Sequence, residues 1–335
     1  MHKHPSKLKW LLRLIGLGLL VVIAVKVGRK ELLSQLAAAR WEYVVPAIFL
    51  CLLHFCVKAM RWHYILARRG ISVPKGKITL LYAAGSLLGL LTPGRVGEFA
   101  KAAVVRSWNR DASWGTVLGS IVLDRLIDVA AIATVAAAGA AWYLLPGPWR
   151  WPIEMLVLFL LLLGAGISAV VWGQLSASAL GMRFKDILRD KFGVSGHDFM
   201  RTLKLAFTGA ALPLVFWTLV ANGLLFVFFA LLGKALGSNL TFAVLTWGIA
   251  LASLGSILPI TISGIGIRDI ILIALFGIWH EPAARVLAIS LTYLGVLYVS
   301  VTALGVWPFM MGSFHMPSLY KKDGARIEDE QTKPS

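Results

Sequence analysis

The chain has 335 residues, of which 58% are hydrophobic and only 15% charged, far below the roughly 25% charged residues of ordinary soluble domains. Its 33 Lys and Arg against 16 Asp and Glu leave a net charge of +17. In so apolar a chain that excess belongs in loops, where it reports orientation and contact with anionic lipid rather than with nucleic acid. The composition is that of an integral membrane protein and argues against DNA binding. Cys51 and Cys56 share one apolar stretch, five positions apart, which gives neither a disulfide framework nor zinc spacing.

A hydrocarbon core about 30 Å thick needs about 20 apolar residues in a helix. Six runs approach that length, at residues 8–25, 43–60, 115–145, 152–172, 205–232 and 286–311. The first follows Lys3, Lys7 and Lys9 as a signal peptide would, but Arg13 interrupts it and no small-x-small cleavage site follows cleanly, so a retained anchor is expected. In the second, His54, Lys58 and Arg61 fall at i, i+4 and i+7 and make one polar stripe. We expect the stripe to snorkel to inner-leaflet headgroups, the alternative being that it lines a cavity.

Residues 78–105 are apolar but broken by Thr92-Pro93-Gly94-Arg95-Val96-Gly97-Glu98. Thr92 suits an N-cap and Pro93 the first helical position, which predicts a half-helix starting here with free amides that attract anions. Arg95 adds a permanent charge and a fork that grips phosphate, while Glu98 can pair with Arg95 or Lys101 or carry a proton. About ten residues into the next long run stand Asp124, Arg125 and Asp128, spaced to share a face and largely neutralise one another. They read equally as a structural ion cluster tied to Arg95 or Arg268 and as substrate ligands.

Asn222, alone in its helix, is expected to make an interhelical hydrogen bond. Residues 242–279 are broken in turn, at Pro259 and at Ser263-Gly264-Ile265-Gly266-Ile267-Arg268-Asp269. Ser263 is the cap candidate here, and the glycines permit close backbone approach. Trp10, Trp149, Trp151, Trp279 and Trp307, near run ends, read as interfacial anchors. Residues 1–312 are expected to form a single integral membrane domain, and 313–335 a polar tail.

Irregular backbone at membrane depth must be buried in protein or line a wet cavity. If each broken segment enters and leaves on one side, the basic residues of 61–77, 173–204 and the tail all fall inside, together with both termini; a pair of short spans gives the same assignment. One exception is the stretch with Lys26, Arg29, Lys30 and Arg40, which falls outside. The segments then face opposite ways, and each is followed by a long helix, a pattern that points to an inverted-topology transporter with a midplane site. The predicted fold is therefore an all-α polytopic membrane protein with six clear spans and two broken, re-entrant segments.

No His-Glu-x-x-His, Gly-x-Ser-x-Gly or nucleotide-binding loop occurs, so no enzyme activity, cofactor or metal is expected. The elements Thr92-Pro93-Gly94-Arg95-Val96-Gly97-Glu98, Asp124-Arg125-Leu126-Ile127-Asp128 and Leu258-Pro259 to Gly264-Ile265-Gly266-Ile267-Arg268-Asp269 resemble the transmembrane region of lysylphosphatidylglycerol synthases and their stand-alone flippase-like relatives, over residues 10 to 311. Where relatives often carry Glu after the second turn, this chain has Asp269. The resemblance implies the lipid-translocating half without the synthase domain, in a bacterial inner membrane. The ligand expected is an anionic membrane lipid, held by Arg95, Glu98, Asp124, Arg125, Asp128, Arg268 and Asp269. A non-transporting adaptor for a lipid synthase or glycosyltransferase, and an embedded lipid transferase, are the competing readings.

Overall fold

The computed structural model describes residues 25, 28–144, 195–257 and 264–305. The run 152–172, nearly all of 8–25, Pro259, Ser263, Trp10, Trp149, Trp151, Trp307 and the tail lie outside them. Among the described residues every regular element is helical. The α-helices are α1 (Arg29–Ala37), α2 (Trp41–Ala67), α3 (Lys75–Leu90), α4 (Ala100–Trp108), α5 (Trp114–Leu144), α6 (Gly196–Leu203), α7 (Ala211–Ala235), α8 (Phe242–Gly255), α9 (Ile267–Gly277) and α10 (Ala283–Gly305), with tighter 3-10 turns at Pro93–Phe99 and Lys204–Phe207.

By length and composition α2, α7 and α10 are each long and apolar enough to cross a membrane. Pro213 sits in the first turn of α7, where the missing amide leaves no intrahelical bond unmade. Helices α2 and α7 pack along one another, α10 lies against α2 and α3, and α5 lies against α6 and α8. Trp62, Phe228, Phe229, Phe276 and Ile289 are fully enclosed at the centre. Two stretches read from sequence as loops contain helices. One is α1, which packs on α10; the other is α6, whose N-cap Ser195 accepts from the Asp198 amide at 3.4 Å.

Both broken segments fold back on themselves. In the first, Gly85 of α3 faces Lys101 of α4, and Gly89 faces Glu98. In the second, Gly248 of α8 faces Phe276 of α9, and Gly255 faces Ile271. Small residues let the paired arms approach closely. At 1.5 Å per residue, the 16 residues of α3 reach about 24 Å and the 14 of α8 about 21 Å, short of a hydrocarbon core about 30 Å thick. Contacts at the hairpin feet fix their ends. Arg69, before the first hairpin, donates Nε to Thr202 Oγ1 of α6 at 3.0 Å, and Gly115, after it, abuts Ser195. The second hairpin starts and finishes beside Tyr143 at the far end of α5, where the rings of Tyr143, Trp247 and Trp279 pack at 5.0–6.0 Å. The first hairpin therefore opens at the end of the molecule where α5 begins, and the second where α5 finishes.

Candidate functional site

The first break is not a simple helix start. Thr92 has the extended backbone of an N-cap, but its Oγ1 accepts from the Gly97 amide at 2.7 Å and donates to the Leu88 carbonyl at 2.9 Å. The hydroxyl stitches a 3-10 turn, and the regular half-helix begins only at Ala100. Pro93 opens that turn, and both Gly94 and Arg95 take left-handed backbone, with φ of 61° and 56°. For arginine this conformation costs about 1–2 kcal/mol. It leaves the Arg95 side chain 46% exposed, with Nη1 3.9 Å from Glu98 Oε1. Gly97 is obligatory by contact, since a Cβ there would strike the Leu88 carbonyl.

Glu98 points the other way, into the protein. Its Oε2 lies 2.8 Å from Arg125 Nη2 on α5 and 3.8 Å from Lys101 Nζ. Lys101 is wholly enclosed and has no hydrogen-bond partner among the described residues; its ammonium sits over the rings of Trp62 and Tyr82 at 4.4 and 4.2 Å, a geometry in which ring faces attract a cation. Arg125 Nη2 also donates to Tyr82 Oη at 2.9 Å, and that hydroxyl donates to Asp124 Oδ2 at 2.8 Å.

The network's centre is a residue the sequence reading placed elsewhere. Arg61 is 0% exposed. Its Nε and Nη2 donate to Asp124 Oδ1 at 2.9 and 2.7 Å, Nη2 reaches Asp128 Oδ1 at 2.7 Å, and Nη1 donates to Thr218 Oγ1 at 3.0 Å. Lys58 Nζ stands 2.6 Å from Asp128 Oδ2. His54, Lys58 and Arg61 are all buried, so the expected snorkelling is overturned. The stripe turns inward because two carboxylates on α5 offer a stronger partner than water would at a helix end. Arg61 accordingly leaves the tally of inner-loop charges. Nor do Asp124, Arg125 and Asp128 neutralise themselves within α5; their shortest bonds run to α2, α3 and the first break. Enclosing such ions costs several kcal/mol each unless they are paired and hydrogen-bonded; all of them are ion-paired, while Glu98 Oε2, Lys101 Nζ, Arg125 Nε and Asp128 Oδ2 make no hydrogen bond among the described residues.

In the second break Gly264 and Gly266 take φ of 72° and 88°, and α9 starts after Gly266. The cap is made by Asp269, whose Oδ2 accepts from the Gly266 amide at 2.8 Å. Its Oδ1 receives Arg268 Nη2 at 2.9 Å and the hydroxyl of Ser290. Arg268 Nε donates to Ser290 Oγ at 2.8 Å, and its guanidinium lies 5.5 Å from the Tyr293 ring. Arg268 is thus clamped, whereas Arg95 has, among the described residues, only the 3.9 Å contact with Glu98.

A cavity of about 360 Å³ joins the two breaks. Gly94 and Arg95 line it from the first, Arg268 from the second, and Lys58, Arg125 and Asp128 lie between them. Around it Lys58, Arg61, Arg95, Lys101, Arg125 and Arg268 stand against Glu98, Asp124, Asp128 and Asp269, an excess of two positive charges at formal ionisation. Lys58, Arg61, Tyr82, Lys101, Ser290 and Tyr293 were not named as site residues from sequence. The stripe spacing in α2 carried a signal for the first two, and the i+3 spacing from Glu98 marked Lys101 as its partner, at 3.8 Å here; Tyr82, Ser290 and Tyr293 have none. Asn222 also lines the cavity and donates Nδ2 to Thr218 within its own helix at 2.9 Å, not across helices. Among the described residues no three His, Cys, Asp or Glu side chains are grouped to hold a metal.

Apolar helices around a buried ionic network and two opposed hairpins define a polytopic membrane protein with an internal charged cavity. The chain belongs to the family described as the lysylphosphatidylglycerol synthase TM region, whose model matches residues 10–305. It is also similar to the UPF0104 membrane protein PH1989 of Pyrococcus horikoshii, with 26% identity over 123 residues, 36% of this chain and 37% of that protein. The match thus spans little more than a third of that relative's length.

Proposed function

We propose that the cavity binds the anionic headgroup of a membrane lipid and lets it cross the bilayer without chemical change. The observation that supports this is that Arg95 and Arg268, from two separate breaks, line one cavity with more cationic than anionic side chains around it. An anionic phosphodiester would meet the free fork of Arg95 from one side and the fixed guanidinium of Arg268 from the other. In this reading the two hairpins are re-entrant halves of an inverted-topology repeat, the cavity is near the midplane, and alternating opening at the two ends moves the ligand. The contact between Arg69 and Thr202 joins two basic stretches at one end, which the positive-inside rule assigns to the cytoplasm. Both termini then face the cytoplasm of a bacterial inner membrane.

Purified protein in vesicles carrying a fluorescent phosphatidylglycerol tests this. Without nucleotide, quenching by an impermeant reductant should proceed from about half to nearly all of the label, because both leaflets become accessible. Unchanged leaflet asymmetry, with or without an imposed proton or sodium gradient, would favour a non-transporting adaptor. A change in lipid mass would favour a transferase.

A further inference from the structure

Three buried polar atoms that make no hydrogen bond among the described residues meet at one junction: Glu98 Oε2, Lys101 Nζ and Arg125 Nε. Glu98 Oε2 lies 2.8 Å from Arg125 Nη2 and 3.8 Å from Lys101 Nζ. One carboxylate thus stands between two cations, close to the first and short of the second. Buried polar groups are nearly always satisfied, so a cluster that is not requires a physical reason. Arg61 shows the contrast, since its Nε, Nη1 and Nη2 are all engaged in hydrogen bonds.

Arg125 faces two ways. Its side chain is 22% exposed and lines the cavity, while Glu98 and Lys101 stand behind it, outside the lining. An anion in the cavity and the Glu98 carboxylate therefore compete for one guanidinium from opposite sides. The unclaimed Nε, together with Nη2, offers the incoming anion a two-pronged grip. Once Nη2 is taken, a movement of about 1 Å brings Glu98 Oε2 to charge-assisted hydrogen-bond distance from Lys101 Nζ. Lys101 has its ammonium held by ring faces and no acceptor in place. Space for the carboxylate comes from Gly89, where a Cβ would stand 2.4 Å from Glu98 Cγ.

Resting on the reading of this cavity as an anionic headgroup site, we propose that Glu98 is a built-in competitor of the ligand for Arg125, and that Lys101 is the positioning residue that receives Glu98 when an anion displaces it. Each charge then has a partner in both states. Such a competitor keeps the grip weak enough for release, which translocation requires as much as binding. It also ties occupancy of the cavity to α4, which carries Lys101.

Equilibrium titration of the detergent-solubilised full chain with dioctanoyl phosphatidylglycerol tests the exchange. In Glu98→Gln binding should tighten by at least about tenfold, because the competing carboxylate is gone. In Lys101→Met it should weaken by at least about threefold, because Glu98 has lost its second cation. The double variant should bind as tightly as Glu98→Gln, since Lys101 acts only through Glu98. Summed charge alone would make the two shifts cancel, so a double variant that binds like the parent overturns the exchange. Gly89→Ala changes no charge but crowds Glu98 away from Arg125, and it should tighten binding too, which keeps the test decisive if Glu98→Gln folds poorly. Unchanged or weaker binding in both Glu98→Gln and Gly89→Ala overturns the competitor and leaves the anionic headgroup site standing. Parent-like binding in Lys101→Met overturns the part given to Lys101. A parent chain that does not bind the probe overturns both this proposal and the headgroup site.

Discussion

Glu98 Oε2 lies 2.8 Å from Arg125 Nη2, and this bridge ties the first break to α5 beside the bonds that Tyr82 of α3 makes with Asp124 and Arg125. Glu98 is buried and the Arg125 side chain 22% exposed, and removing one member of a fully buried pair costs about 3–5 kcal/mol. Arg125 retains Tyr82 Oη, with Asp124 and Asp128 at 3.6 and 3.8 Å, so Glu98→Ala should fall at the lower end, about 3 kcal/mol. In a double-mutant cycle with Arg125→Ala, equilibrium unfolding in detergent should show a combined loss at least about 1 kcal/mol smaller than the sum. Additivity would mean that the bridge carries no coupling.

Arg61 should be the least replaceable cation. Its fork serves Asp124, Asp128 and Thr218 together, which a single ammonium cannot do. Arg61→Lys should therefore destabilise by more than about 2 kcal/mol. Arg61→Met should destabilise more than Lys58→Met, because losing Lys58 still leaves Asp128 paired with Arg61 at 2.7 Å. Thermal unfolding of the three variants orders them, and the reverse order would place the network's centre at Lys58.

The sequence disclosed the parts that come from local chemistry. Helices α2 and α5 occupy Trp41–Ala67 and Trp114–Leu144, close to the apolar runs 43–60 and 115–145, because a long apolar run sets a long helix. Thr92, Pro93, Gly94 and Gly97 were legible as a break because each restricts the backbone. The half-helix start was misplaced, since the Thr92 hydroxyl bonds Gly97 five residues on and so winds a 3-10 turn where a cap was expected. The direction of the Arg61 stripe was illegible for a different reason. A cation near a helix end reads as snorkelling unless its partner is known, and Asp124 lies 63 positions away. For Lys101 the pairing with Glu98 was legible from spacing, but its aromatic cage was not, because Trp62 and Tyr82 come from other helices.

The glycines of the first hairpin make a graded test. A Cβ at Gly97 meets the backbone of Leu88, which cannot yield; at Gly89 it meets the side chain of Glu98; at Gly85 it meets only the stem of Lys101, at 3.1 Å. Alanine substitutions should therefore destabilise in the order Gly97, Gly89, Gly85, with Gly97→Ala costing more than about 2 kcal/mol and Gly85→Ala less than about 1 kcal/mol. Gly89→Ala should also weaken the Glu98 to Arg125 bridge, so its effect should shrink in an Arg125→Ala background. Equal effects at the three positions would contradict the hairpin packing.

Arg95 separates stability from function. Its left-handed backbone, φ 56° and ψ 27°, costs about 1–2 kcal/mol, and its side chain is 46% exposed with Glu98, at 3.9 Å, as its one ionic partner among the described residues. Glycine adopts this backbone freely but loses more entropy on folding, an opposing term of about 0.5–1 kcal/mol. Arg95→Gly should thus leave stability unchanged or raise it by up to about 1 kcal/mol. The same variant removes the free fork from the cavity, and nothing else on the first break carries a cation into it. Equilibration of anionic lipid across vesicles should then slow by at least about tenfold. Arg95→Lys keeps both the charge and the strained backbone but not the planar fork, so its rate should lie between parent and Arg95→Gly while its stability matches the parent. Backbone strain held at a position that contributes little to stability is what a ligand-gripping residue shows. If Arg95→Gly unfolds readily, the left-handed turn is held by the arginine itself; if it equilibrates lipid at the parent rate, Arg95 is a surface cation and the grip on the headgroup belongs to Arg268 and Arg125.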